Sequence, residues 1–168
     1  MALSMYQASI PVYVRLLNGL AACLKKAAAH YGEKKLDESS LLAYRLYPDM
    51  FHFAKQVQAA TDHARSGAAR LAGQEPPQFD ANEKTLADLI ARVEKTAAFV
   101  KSIKPEQVDG TEDKTVSFKV RDREFTFKGQ QFLLNQSMPN FYFHTTTAYN
   151  ILRHNGVEIG KRDFLGSD

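Results

Sequence analysis

Pro139-Asn140-Phe141-Tyr142-Phe143-His144, continuing to Ile151-Leu152-Arg153-His154-Asn155-Gly156, is the stretch whose reading decides the fold. It reads as one long helix. It sets Asn140 and His144 four residues apart, hence on one face. That spacing is the one used by helical metal sites of the His-x-x-x-His kind. Here one member is an amide, a far poorer ligand for a transition metal than an imidazole. The same two positions mark a site and argue against a metal in it.

Working outward, the helix is expected over residues 130 to 155, with Gly156 ending it. Pro139 sits in its middle, removes one backbone hydrogen bond and predicts a kink. The preceding stretch changes period. Thr115-Val116-Ser117-Phe118-Lys119-Val120 and Glu124-Phe125-Thr126-Phe127 alternate apolar and polar residues around the turn Arg121-Asp122-Arg123. Alternation at step two predicts a β-hairpin, at about residues 114–128. Two strands alone are marginal, so one face must lie on the rest of the chain or on a partner.

Three further helices are expected upstream. The first spans residues 4 to 30, with Ile10, Val14, Leu17, Leu20, Leu24 and Ala28 as its apolar stripe. Pro11 predicts a late start or a small kink, and Gly32 a stop. A short helix follows over residues 38 to 46. The second long helix is expected from Pro48, a favoured first position, to Leu71, with Gly73 as its stop. Met50, Phe53, Val57, Ala60, Ala64, Ala68 and Leu71 form its core stripe. The third runs from 83 to 103, on Leu86, Leu89, Ile90, Val93, Ala97 and Val100, and Pro105 closes it. The tail from Val157 to Asp168 reads as irregular. Four long helices with polar outer faces argue an all-α class, a four-helix bundle with a small hairpin between helices three and four, in one domain over residues 1–168.

Composition narrows the function classes. The 168 residues are 44% apolar and 24% charged, with a net charge of +3, ordinary values for a soluble globular domain. The basic residues form only short pairs, Lys25-Lys26 and Lys34-Lys35, so no dense phosphate-binding face is expected and no nucleic-acid partner. The lone cysteine, Cys23, lies in an apolar helical run and reads as a buried hydrophobe. No apolar stretch reaches the ~20 residues needed to cross a membrane. Neither a secretory leader nor a disulfide framework is legible, so a cytoplasmic setting is expected. No nucleophile elbow, phosphate loop, dinucleotide fingerprint or Cys-x-x-Cys occurs.

Bundle interiors hold ligands through polar side chains on facing helices. On the second helix Asp49, His52, Gln56 and His63 fall along one flank, while Asp62 points elsewhere with Gln58 and Arg65. On the fourth, Asn140, His144, Thr147 and Ile151 share a stripe. Each residue has a plainer role beside the functional one. His144 satisfies one core hydrogen bond as readily as it serves a site. The Asn140 amide either meets a ligand or ties down carbonyls freed at the Pro139 kink. Gln56 is a candidate partner for either. Asp163 reads as a tail salt bridge with Lys161 or Arg162.

Met50-Phe51 through Gln56-Val57-Gln58, Asp62-His63-Ala64, Ala69-Arg70-Leu71-Ala72-Gly73, the Asn140-to-Val157 run and Lys161-Arg162-Asp163-Phe164-Leu165-Gly166 together resemble an uncharacterised bacterial branch of the DinB/YfiT-like superfamily of four-helix bundles. The resemblance covers nearly the whole chain. It implies a superfamily metal site: one histidine from the second helix and a His-x-x-x-His pair from the fourth, holding zinc or nickel for thiol-dependent transfer or hydrolysis. His144 matches the second histidine of that pair and Asn140 stands where the first belongs. The second-helix ligand falls near Gln58 or Ala59, where there is no histidine. Three nitrogen ligands normally hold such a metal. The expectation is a metal-free small-ligand site around Gln56, Asn140 and His144. The alternative is a divalent-metal transferase or hydrolase using His144 with His63 or His52, and Asp49 or Asp62 as base. A second alternative is a homodimeric structural or stress-related protein. The resemblance implies a homodimer under each, and enzyme status stays open.

Overall fold

The computed structural model describes residues 3–166, and these are mostly helical with one two-stranded antiparallel sheet. Helix α1 spans Ile10–Glu33, α2 Glu38–Ala43, α3 Phe53–Leu71, α4 Leu86–Ser102 and α5 Pro105–Val108. Strands β1 (Thr115–Val120) and β2 (Arg123–Lys128) follow, then the short α6 (Gly129–Gln131), a π-helical segment Phe132–Ser137, α7 (Met138–His154) and α8 (Lys161–Leu165). The four long helices form a ring of neighbours: α1 packs on α4, α4 on α3, α3 on α7 and α7 on α1. The apolar stripes meet inside. Ile10, Leu17, Leu24, Phe53, Val57, Leu71, Leu86, Leu89, Val100, Phe141 and Ile151 are all fully buried. The alanines of α3 do what their size suggests, because Ala60, Ala64 and Ala68 lie buried where neighbouring helices pack.

Several boundaries differ from expectation, each for a local reason. Pro11 delays α1 to Ile10. Gly32 does not stop it. The helix runs one residue further and ends in a Schellman turn, with Leu36 N–H on the Tyr31 carbonyl at 2.9 Å and Lys35 N–H on the Gly32 carbonyl at 3.2 Å. The left-handed residue of that turn is Lys35, at φ 53°. Helix α2 stops at Ala43. Pro48 does not open α3. Residues around it make a turn, Met50 N–H to the Tyr47 carbonyl at 3.0 Å, and His52 becomes the N-cap. Gly73, at φ 70°, ends α3 as the sequence predicts. Helix α4 begins three residues late because Thr85 and Asp88 form a capping box, each side chain on the other's amide at 3.0 Å.

The expected single kinked helix over 130–155 is instead three segments. Pro139 lacks an N–H and its ring crowds the carbonyl four residues back. The chain answers with the wider π-helical turn of Phe132–Ser137 just before it. The tail is not irregular throughout: Lys161–Leu165 is helical and lies on α1. Gly19 makes room for it, since a Cβ there would stand 2.6 Å from the Phe164 carbonyl oxygen. Asp163 pairs with Lys26 at 2.7 Å, not with Lys161 or Arg162, and that ammonium holds its carboxyl below the usual range.

The hairpin pairs Thr115 with Lys128 through Val120 with Arg123, around a two-residue turn at Arg121-Asp122. Its inner face is aromatic. Phe118 stacks on Phe125 at 5.5 Å and meets the edge of Phe132 at 5.7 Å, so the hairpin lies on the π-helical segment.

Candidate functional site

Helices α3 and α7 pack side by side and bring Gln56 against His144. Gln56 is 1% exposed and His144 9%. The Gln56 amide nitrogen donates to the Phe51 carbonyl at 3.2 Å, which turns its oxygen, Oε1, toward the ring. An amide oxygen only accepts, so His144 Nδ1–H is the donor in their 2.7 Å bond. That bond fixes the tautomer and leaves Nε2 with its lone pair. The ring of His144 stacks against Phe51 at 6.0 Å and against His63 at 5.5 Å, within 15° and 11° of parallel. Phe143 meets it edge-on at 5.2 Å.

Electrostatics keep both histidines neutral. Burial, then the neighbouring His144, then Arg70 push the His63 imidazole down to about 4. Burial, then Lys55, lower His144. Neither ring nitrogen of His63 has a hydrogen-bond partner among the described residues. Beyond His63 lies a cavity of about 320 Å³ between α3, the hairpin and the π-helical segment. Arg70 borders it, its guanidinium 4.2 Å over the Phe118 ring.

Asn140 takes the second of its two expected roles. Its amide nitrogen donates to the Gln136 carbonyl at 2.6 Å, where the helix changes from π to α pitch. It has no hydrogen bond to Gln56 or His144 among the described residues. His52 faces α2, with Nδ1 3.1 Å from the Leu42 carbonyl and 3.3 Å from the Lys55 amide. Asp49 is exposed and lies ahead of the helix. Of the second-helix flank, the fold brings Gln56 and His63 to His144 and leaves His52 and Asp49 away from it. Cys23 is 1% exposed, and burial pushes its thiol up to about 11, an inert group.

Asp62 belongs to a different constellation, which sequence reasoning missed. Arg92, only 5% exposed, sends its guanidinium from α4 into α3 and the loop between them. Nε donates to Thr61 at 2.7 Å, one terminal nitrogen to Glu83 at 2.7 Å and to the Asp80 carbonyl at 2.8 Å, and the other to Asp62 at 2.6 Å. Gln58 also holds Glu83, at 2.8 Å. Arg65 reaches the same Asp62 oxygen at 2.9 Å and lies under Phe79 at 4.5 Å, with its Nε and one terminal nitrogen buried and unpartnered. A signal was present: Arg92 and Thr96 lie three and seven residues after Leu89, inside the apolar stripe.

The metal implied by the resemblance does not fit these residues. Among the described residues no three His, Cys, Asp or Glu side chains stand together as a metal-holding group. Asn140 is turned onto backbone, the Nδ1 of His144 is taken by Gln56, and the second-helix position nearest the expected ligand, Gln58, serves Glu83. Two imidazoles remain where three donors are normally needed.

These features define a mostly helical protein with a small two-stranded sheet and a stacked pair of imidazoles between two packed helices. A crystal structure described as a DinB family member protein from Shewanella denitrificans is similar at a TM-score of 0.86 and 36% identity, over 97% of this chain and 92% of that one. The chain belongs to the family described as Domain of unknown function (DUF1993), whose pattern matches residues 5–165. No curated protein matches it. No helix among the described residues is long and apolar enough to cross a membrane.

Proposed function

We propose that this chain is a DinB-like four-helix bundle whose ancestral metal position has become a metal-free site for a small organic ligand. The observation that supports it most is the pair His63 and His144. Two neutral imidazoles stack on one another; His144 is pinned by Gln56, and His63 lines a cavity with neither ring nitrogen hydrogen-bonded among the described residues. Pinning by Gln56 orients the His144 ring, which backs His63 from the side away from the cavity lining. Asn140 holds the π-to-α junction in shape, and His63 presents polar atoms to a guest. The amides standing in place of imidazoles are poor ligands for a transition metal, and here Gln56 holds the His144 ring while Asn140 holds a backbone carbonyl. The homodimer implied by the resemblance stays part of this proposal, and light scattering decides it.

The test is a fragment screen read by NMR on the imidazole resonances. The expected result is a set of neutral or charged organic fragments that shift His63 strongly and His144 less, with the shifts lost in His63→Phe. Hits that leave both rings unmoved contradict the reading.

A further inference from the structure

We propose that the cavity beside His63 takes a small organic monocarboxylate with a flat apolar body. This rests on the small-ligand reading above and names the class of ligand.

The cavity has two unlike walls. On the hairpin side, Phe118, Val120 and Phe132 make it apolar, and the edge-on packing of Phe118 with Phe132 leaves an aromatic surface suited to a planar guest. On the α3 side stand His63, Ser66 and Arg70. Arg70 is half-buried and stacked on Phe118, and it makes no hydrogen bond or ion pair among the described residues. A guanidinium carries five N–H donors in a planar fork that matches a carboxylate. Burial weighs against its charge more than Glu75 favours it, so an anion bound at the guanidinium adds a direct partner.

The one carboxylate on the lining does not fill that role. Asp62 already accepts from both Arg65 and Arg92 through one oxygen. Further donors face the space: the Ser66 hydroxyl and the Gln136 side-chain amide have no partners of their own among the described residues. One guanidinium with neutral donors suits a single negative charge, and the aromatic wall suits an apolar remainder. A phosphate dianion lacks a second cation here. About 320 Å³ sits at the small end of ligand pockets.

The experiment is calorimetric titration of the full chain at neutral pH with benzoate, benzamide and inorganic phosphate. Benzoate is expected to bind saturably, about tenfold more tightly than either control, because charge-assisted bidentate contacts outweigh neutral ones. Arg70→Gln is expected to bring benzoate down to the level of benzamide while leaving benzamide unchanged, which also shows that the variant is folded. Arg70→Lys is expected to fall between. Equal binding of benzoate and benzamide overturns the carboxylate assignment and leaves the small-ligand reading standing. Phosphate preferred to benzoate overturns the apolar body. Benzoate binding indifferent to Arg70→Gln, or no saturable binding of any probe, overturns the assignment as well. The NMR screen above then decides separately whether the site takes small molecules at all.

Discussion

Two arginine neighbourhoods that border α3 contrast sharply, one buried and one half-buried. Arg92 spends its guanidinium on Thr61, Asp80, Glu83 and Asp62, and seals α4 and its leading loop to α3. Arg70, two turns along from Asp62, makes no hydrogen bond among the described residues and lies over an aromatic ring beside open space. The same contrast separates the two histidines. His144 is hydrogen-bonded to Gln56, and the His63 ring makes no hydrogen bond among the described residues. Polar groups satisfied by the protein build the fold, and polar groups left facing a cavity are available for a guest. Burial alone does not distinguish them; partners do.

The largest effect that tests this contrast is on stability. Arg92→Met leaves Glu83, whose side chain is 8% exposed, without its ion-pair partner. Removing one member of a buried pair costs about 3–5 kcal/mol, to be read from urea unfolding. Arg70→Gln loses only the stacking over Phe118 and is expected to cost about 1 kcal/mol. Equal losses in the two variants break the comparison.

Next is pH dependence. His63 has a folded value of about 4 against an ordinary value of 6.5. The unfolded chain therefore takes up the proton first. Stability from this group is full above about 6.5 and falls as pH drops toward 4, by up to about 3 kcal/mol at 1.36 kcal/mol per unit. The lowered value of His144 acts in the same direction. Urea midpoints measured across this window should fall, and His63→Phe should flatten the slope. A midpoint independent of pH contradicts the burial of a neutral ring.

A smaller effect sharpens the tied side. His144→Phe and Gln56→Leu each strand the other's polar atom and should cost about 1–3 kcal/mol. The double variant should cost less than their sum, with a coupling of about 1 kcal/mol in a double-mutant cycle. Strict additivity would show that the 2.7 Å bond carries no energy. Smallest is a control outside both neighbourhoods: Lys35→Gly, at φ 53°, should stabilise by about 0.5–1 kcal/mol, because a left-handed C-terminal residue strains any side chain.

Much of the fold was legible because period and punctuation act locally. The apolar steps of Leu17, Leu20 and Leu24, of Val57, Ala60 and Ala64, and of Leu86, Leu89 and Val93 fall on buried faces, and Gly73 and Gly156 end their helices. The alternation of Thr115 to Phe127 places the hairpin. Failures arose where a competing local hydrogen bond won. The turn at Tyr47 to Met50 displaced a proline start, and Thr85 with Asp88 moved a helix start. Pro139 spread its disturbance upstream as a π-helical segment, which no periodicity reveals.

The site was legible in part. The step of 100° per residue correctly set Gln56 and His63 on the side facing α7 and Asp62 with Gln58 and Arg65 on another. It also grouped His52 and Asp49 with them, because it started the helix at Pro48 where the structure starts it at Phe53. Asn140 had two readings, and spacing could not choose between a ligand and the Gln136 carbonyl 2.6 Å away. Arg70 was invisible as a functional residue. Among the described residues it makes no hydrogen bond or ion pair, and that is a property of three-dimensional packing.

In the proposed reading an amide-pinned imidazole, and not a metal ion, occupies the heart of this site. The decisive experiment is zinc titration of the untagged protein with metal content measured alongside. Wild type and His144→Ala are expected to take up zinc equally weakly and without a defined stoichiometry. One tightly bound equivalent in wild type, lost in His144→Ala, would contradict it.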